Sequence, residues 1–131
     1  LLRAGVPLAP VLAVSLALQA AVWFVLPYLD SSALGLAGLI VFGVAAGISA
    51  TFLFAAPALI LGAGNAGGSA FGVVMTGRNF GVLLGPILLP PVLLSMGSWQ
   101  GVGQVFGGVS LAGALAAVAL GAMLARRDGV R

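Results

Sequence analysis

The amino-acid sequence predicts an all-α membrane protein with four transmembrane helices, and two observations carry this prediction. Of the 131 residues, 62% are hydrophobic and only 5% are charged, and the mean hydropathy is +1.28. A soluble domain has about 25% charged residues, which cover its surface in water. In addition, the apolar residues form four long runs separated by short, more polar segments. Hydrocarbon is therefore the expected solvent, and in it helices satisfy their own backbone hydrogen bonds.

The four apolar runs predict four spans, because a helix needs roughly 20 apolar residues to cross a bilayer. The spans cover residues 7–29, 34–61, 69–94 and 102–124, and a basic tail at 125–131 follows the last one. We interpret residues 1–131 as a single membrane domain. Because the sequence starts at Leu1 and not at a Met, we expect it to be part of a larger protein.

The distribution of arginines predicts the orientation of the chain in the membrane. Arginines lie before the first span and after the fourth, whereas the turns around Asp30 and Trp99 contain neither Lys nor Arg. The arginines near the two ends are Arg3, Arg126, Arg127 and Arg131. Cytoplasmic segments are enriched in Lys and Arg. We therefore expect both ends in the cytoplasm of a cell with a bacterial-type plasma membrane.

The composition also excludes several classes of function. The chain contains no Cys and no His, which excludes disulfides, thiolate nucleophiles, His-containing triads and the usual transition-metal ligands. Its net charge of +3 comes mostly from arginines near the ends, which indicate membrane topology and not nucleic-acid binding. We expect no enzyme activity, no metal and no cofactor, and we expect the lipid bilayer to be a partner.

Small residues recur every four positions in three of the spans, as is typical of helices that pack closely in lipid. They are Gly43 and Gly47 in the second span, Gly77, Gly81 and Gly85 in the third, and Gly113, Ala117 and Gly121 in the fourth. The alternative is that Gly and Ala are simply abundant in this sequence. The first span has no such repeat, so we expect it to be peripheral and to face lipid. Pro57 is expected to bend the second helix, and Pro86, Pro90 and Pro91 to kink the third or end it early.

Arg78 is the only charged residue inside the four predicted spans. At 1.5 Å per residue it lies about 14 Å from Ser69, near the middle of a hydrocarbon core about 30 Å thick. An arginine at this depth costs about 2.5–3.5 kcal/mol, so it should face protein or a water-filled cavity. Asn79 beside it adds donors and an acceptor.

Arg78 and Asn79 are therefore candidates for a substrate path or for a contact between helix bundles, and the guanidinium favours an anionic solute. The structural alternative is that Arg78 bonds backbone carbonyls or extends to the cytoplasmic interface. Five other polar residues of the spans are expected to make interhelical or backbone hydrogen bonds: Gln19, Ser49, Thr51, Thr76 and Gln104.

The order of these features resembles the major facilitator superfamily of transporters, and the resemblance covers nearly the whole chain. A helix with a Gly-x3-Gly repeat and a later Pro is followed by a turn and by a helix of the form Gly-x8-Gly-x3-Gly-Pro. The residues concerned are Gly43, Gly47 and Pro57, then Gly72, Gly81, Gly85 and Pro86. The second pattern is similar to the antiporter motif of that family's fifth helix. Leu89 and Pro90 replace the Gly-Gly pair with which the motif continues, so antiport does not follow from it.

Two quarters of that family match this order, helices three to six and helices nine to twelve. Leu39 stands where the fourth helix usually has an arginine, which together with the basic tail favours helices nine to twelve. The resemblance implies a larger helical transporter bundle that moves a small solute by alternating access, with the remaining helices as partners. The second span would line the cavity, and the third would lie beside the other half. The alternative is a non-transporting membrane subunit or assembly protein that uses its glycine faces for helix packing.

Overall fold

The computed structural model describes residues 7–29, 33–62, 64–65 and 67–128. Helix α1 covers Leu8–Val25 and continues into a 3₁₀ turn at Leu26–Tyr28; it is followed by α2 at Ala33–Leu61, α3 at Gly68–Met96 and α4 at Trp99–Asp128. The described part of the chain contains no strand. All four helices are long and apolar enough to cross a membrane. The predicted all-α fold with four transmembrane helices is confirmed.

The local sequence explains where the helices begin and end. Helix α1 changes to a 3₁₀ turn around Pro27, which has no N–H to donate to the carbonyl of Trp23. Helix α3 ends at Gly97, whose φ of 64° lies in the left-handed region that glycine adopts readily. The Ser98 hydroxyl then accepts a hydrogen bond of 3.2 Å from the Gly101 N–H and so caps the start of α4.

Helix α1 lies at the centre of the bundle and packs against both α2 and α4. Its side chains Leu8 and Leu12 are buried in a common core with Phe52 of α2 and Ala117 of α4. The expectation that the first span is peripheral is therefore wrong. Its lack of a glycine repeat does not prevent close packing, because the small residues that allow the approach belong to its partner α4.

Glycines of α4 bring its backbone close to α1. A Cβ atom added at Gly103 would lie 2.6 Å from the carbonyl oxygen of Trp23, and one at Gly107 would lie 2.7 Å from an aromatic ring of α1. At the other end of the contact, a Cβ at Gly121 would lie 3.0 Å from Ala9. Such distances leave no room for a side chain, so glycine sets how closely these two helices approach.

The small-residue repeat predicted in the fourth span also faces α1. Ala117 is buried in the core, and a Cβ at Gly113 would meet Leu16 at 3.5 Å. With Gly121 against the start of α1, all three residues lie on the packed side of α4. The predicted packing role of this repeat is confirmed.

Helix α3 is the least covered of the four, with no buried residue and limited contact with α2 and α4. It continues as one helix through Pro86, Pro90 and Pro91 to Met96, so the expectation that these prolines could end it early is wrong. Each proline removes one backbone hydrogen bond. The prolines lie about 27–35 Å from the start of α3, near the far edge of the hydrocarbon core, and a helix that continues past them keeps its remaining backbone groups bonded.

Several residues on which the predicted orientation depends lie outside the described part of the chain. They are Arg3, the turn at Asp30 and Ser31, and Arg131. Arg126 is described, and it is exposed near the end of α4.

Candidate functional site

A cavity of about 530 Å³ lies between α1, α2 and α3. Its polar side chains are Gln19 from α1, Ser49 from α2 and Arg78 from α3. The other residues of its wall are small or apolar: Leu16, Ala46, Ala50, Leu53, Phe54, Val73, Val74 and Gly77. Small-molecule sites have volumes of roughly 300–1,000 Å³ and are mostly apolar with a few convergent polar groups. We therefore take this cavity as the candidate functional site.

The three polar side chains lie at a similar depth in the bundle. The end of α1 contacts the first half of α2 through Trp23 and Phe42, whereas the start of α1 packs on Phe52 in the second half of α2. The two helices therefore run antiparallel. At 1.5 Å per residue, Gln19 is about 17 Å from the start of α1, Ser49 about 18 Å from the end of α2, and Arg78 about 15 Å from the start of α3. Since a hydrocarbon core is about 30 Å thick, these depths are near its middle.

Arg78 is exposed on α3 and has few partners in the described part of the chain. Its Nη1 donates to Oδ1 of the adjacent Asn79 over 3.4 Å, which is long for a hydrogen bond. No Asp or Glu side chain belongs to the described part. Among the described residues, no backbone carbonyl accepts a hydrogen bond from Arg78 either. The guanidinium therefore leaves most of its donors available to the cavity.

A hydrogen-bonded chain of side chains joins α1 to α2 beside the cavity. Nε2 of Gln19 donates to Oγ of Ser49 at 2.8 Å. The one proton of the Ser49 hydroxyl is shared between Oγ of Ser15 at 2.8 Å and the carbonyl oxygen of Ala45 at 3.0 Å. The Ser15 hydroxyl donates in turn to the carbonyl of Leu12 at 3.1 Å. The expectation that Gln19 and Ser49 make interhelical hydrogen bonds is confirmed. Thr51, by contrast, donates within its own helix.

This network determines which atom of the Gln19 amide is free. Nε2 also donates to the backbone carbonyl of Ser15 at 3.3 Å. A carbonyl only accepts, so the nitrogen and not the oxygen of the amide must lie on this side. One N–H group of Gln19 is thus used across to α2 and the other within α1. Its Oε1 has no partner among the described residues and is not buried, and it is therefore an acceptor open to a ligand.

The other predicted glycine faces have no partner within the described part of the chain. A Cβ added at any of these positions would meet no described atom within 4 Å: Gly43, Gly47, Gly77, Gly81 and Gly85. Gly77 lines the cavity, and the other four have open space beside them. Packing of these faces against another helix stays a prediction. Pro57 is buried within α2, whereas Pro86 and Asn79 are exposed on α3.

Sequence reasoning missed two features that the structure places at helix contacts. Gly103 and Gly107 have the same four-residue spacing as Gly43 and Gly47, and this spacing indicates a helix that can be approached closely. Ser15 lies four residues before Gln19, on the same face of α1. Two polar residues at that spacing in an apolar helix indicate a polar stripe along one face of α1.

The four spans together with this cavity define the chain as an integral membrane protein with a mostly apolar cavity, lined by a few polar side chains, between its helices. The chain matches no protein family, no curated protein and no solved structure. Its function is therefore inferred from the cavity and from the resemblance of its glycine and proline pattern to that of the major facilitator superfamily.

Proposed function

We propose that the chain is part of a secondary active transporter, which carries a small solute across a bacterial-type plasma membrane by alternating access. The observation that carries this proposal is the cavity of about 530 Å³ that holds Arg78 and Gln19 at mid-membrane depth. Ionisable residues inside transmembrane segments are costly and mark substrate or ion pathways. A protein that only packed its helices would gain stability from an apolar residue in place of Arg78.

The loose packing of α3 gives further support. Helix α1 makes extensive contacts with α2 and α4, whereas α3, which carries Arg78, makes few. Few contacts hold α3 to the rest of this chain, which leaves its other face free to pack against the other half of the transporter, whose movement alternating access requires. In the complete transporter, the remaining helices would cover the open face of α3, where Gly81 and Gly85 permit a close approach.

The resemblance to the major facilitator superfamily favours the same function. It implies that the second span lines the cavity, and α2 contributes Ser49, Ala50 and Leu53 to the cavity wall. In this proposal the chain corresponds to helices nine to twelve, both of its ends are cytoplasmic, and the solute passes between this chain and the other half of the transporter. Antiport is not part of the proposal, because Leu89 and Pro90 depart from the antiporter motif.

Uptake into proteoliposomes that contain the full-length protein tests this proposal. A panel of labelled small acids, sugars and amino acids is compared with protein-free liposomes, and at least one solute should enter faster with the protein. Arg78→Ala should lower that uptake at least about tenfold, as expected for the loss of a charge-assisted hydrogen bond. Arg126→Ala is the matched control, because Arg126 is exposed at the end of α4 and does not line the cavity.

The outcomes separate the two functions considered. Unchanged uptake with Arg78→Ala would remove Arg78 from the mechanism while leaving transport in place. A correctly folded full-length protein that moves no solute of the panel would favour a non-transporting subunit, which the uncovered glycine faces of α2 and α3 would also suit.

A further inference from the structure

The charge of Arg78 restricts what the cavity can hold. The described part of the chain supplies no carboxylate, and an uncompensated arginine near the middle of the membrane costs about 2.5–3.5 kcal/mol. A ligand with one negative charge would neutralise the guanidinium and form charge-assisted hydrogen bonds with it. A dianion would leave one negative charge uncompensated in the same low-dielectric surroundings, which is as unfavourable as the empty site.

The walls of the cavity restrict the rest of the ligand. Most of the lining comes from aliphatic and aromatic side chains, among them Leu16, Leu53, Phe54 and Val74. Burial of an aliphatic group against such a wall is favourable by about 25 cal/mol per Å². A strongly hydrated solute such as a sugar would lose hydrogen bonds to water there without replacement. The body of the ligand is therefore expected to be aliphatic.

Gln19 adds a second polar requirement. Both of its N–H groups are used by Ser49 and by the carbonyl of Ser15, so Oε1 is the atom of this amide left for a ligand. An acceptor is satisfied by a hydroxyl or N–H of the ligand, and it repels a second carboxylate oxygen. The cavity thus combines a cationic donor at Arg78 with a neutral acceptor at Gln19.

We propose that this cavity binds an aliphatic monocarboxylate that carries a hydroxyl group, with the carboxylate at Arg78 and the hydroxyl at Oε1 of Gln19. The proposal names the substrate class of the transporter proposed above and rests on that function only for the transport step. Binding itself depends on the cavity and is measured separately from transport.

Calorimetric titration of the purified full-length protein in lipid nanodiscs tests the proposal. The probes are 4-methylpentanoate, its 2-hydroxy and 3-hydroxy derivatives, and the neutral amide of 4-methylpentanoate. The carboxylate should bind at least about tenfold more tightly than the amide, and one of the hydroxylated acids should bind more tightly than the parent acid. Equal binding of carboxylate and amide would overturn the pairing with Arg78. No gain from either hydroxyl would overturn the role of Gln19.

Variants of Arg78 and Gln19 locate the binding within this cavity. Arg78→Gln should abolish the preference for carboxylate over amide, whereas Arg78→Lys should retain part of it because the charge is kept. Gln19→Glu places a carboxylate in the same cavity as Arg78, so it should weaken binding of the acid at least about tenfold by supplying an internal counter-charge. Gln104→Glu is the matched control, since Gln104 is exposed on α4 and does not line the cavity.

Each result has a distinct consequence. Carboxylate binding that is lost in both Gln19→Glu and Gln104→Glu would place the site elsewhere and overturn the proposal. If Gln19→Glu does not fold, the preference for carboxylate over amide in Arg78→Gln and Arg78→Lys still tests whether the acid binds at Arg78. Binding of the acid without its uptake into proteoliposomes would refute transport and keep the binding site. Uptake of another solute by a protein that binds none of the acids would refute the ligand class and keep transport.

Discussion

Gly103 of α4 provides a quantitative test of the packing between α1 and α4. In Gly103→Ala the new Cβ would lie 2.6 Å from the carbonyl oxygen of Trp23 and 2.6 Å from Cγ of Pro27. The first of these contacts is with backbone, so it is relieved only if the two helices move apart. Overpacking of this kind costs about 1–3 kcal/mol. Alanine recovers roughly 0.5–1 kcal/mol of helix propensity, so a net loss of about 1 kcal/mol in the free energy of unfolding is expected.

Gly108→Ala is the matched control for this prediction. Gly108 belongs to the same helix, but a Cβ there would meet no described atom within 4 Å, so the substitution should leave stability unchanged or raise it slightly. Unfolding of the full-length protein in increasing dodecyl sulfate, followed by circular dichroism, measures both variants. The contact between the rings of Trp23 and Phe106, which stack at 5.3 Å, is lost in the same event. Equal stability of the two variants would refute the close approach of α4 to α1.

Three further predictions address the polar network, a helix end and the orientation. Ser49→Ala removes the hydroxyl that bridges α1 and α2, and it should lower stability by about 0.5–1.5 kcal/mol, whereas Thr51→Val should have little effect because Thr51 bonds only its own helix. Gly97→Ala should cost about 1–2 kcal/mol in the same unfolding assay, because its φ of 64° is left-handed. A cysteine introduced at Ser31 should react with an impermeant reagent from outside the cell and one at Arg131 only from inside; the opposite pattern would reverse the proposed orientation.

The sequence predicted the spans well because their existence depends on length and hydropathy alone. It did not predict which helix lies at the centre. In water a packed helix has one apolar face, but in lipid both the packed and the lipid-facing sides are apolar, so the pattern carries little information about burial. Helix α1 was expected at the periphery and is central, whereas α3 has the clearest glycine repeat and no buried residue.

The sequence drew attention to Arg78 as a candidate site residue, but it did not indicate which side chains of other helices lie beside it. Arg78 stands out in the sequence because charge is rare and costly in a membrane. Its meeting with Gln19 and Ser49 in one cavity depends on how far α1, α2 and α3 are shifted along and rotated about their axes. Those shifts are set by contacts between helices, such as the hydrogen bond from Ser49 to Ser15, which no local pattern in one helix encodes.

The open space beside Gly81 and Gly85 differs from the close contact made by Gly103, although both positions follow the same four-residue spacing. The spacing of small residues shows that a helix can be approached closely. Whether another helix does approach it depends on the packing of the whole bundle. A glycine face therefore predicts a capacity for packing, and its partner has to be found by experiment.

Accessibility of the cavity from the two sides of the membrane tests the central claim most directly. The chain contains no cysteine, so a single one can be introduced as Ala50→Cys, at an exposed position of the cavity wall. A thiol reacts readily only where water allows it to ionise. Val109→Cys is the control, because Val109 is 67% exposed on α4 and does not line the cavity. With native cysteines elsewhere replaced, alternating access predicts labelling of Ala50→Cys by an impermeant reagent from either side and no labelling of Val109→Cys. Labelling of Ala50→Cys from one side only, or from neither, would contradict the account.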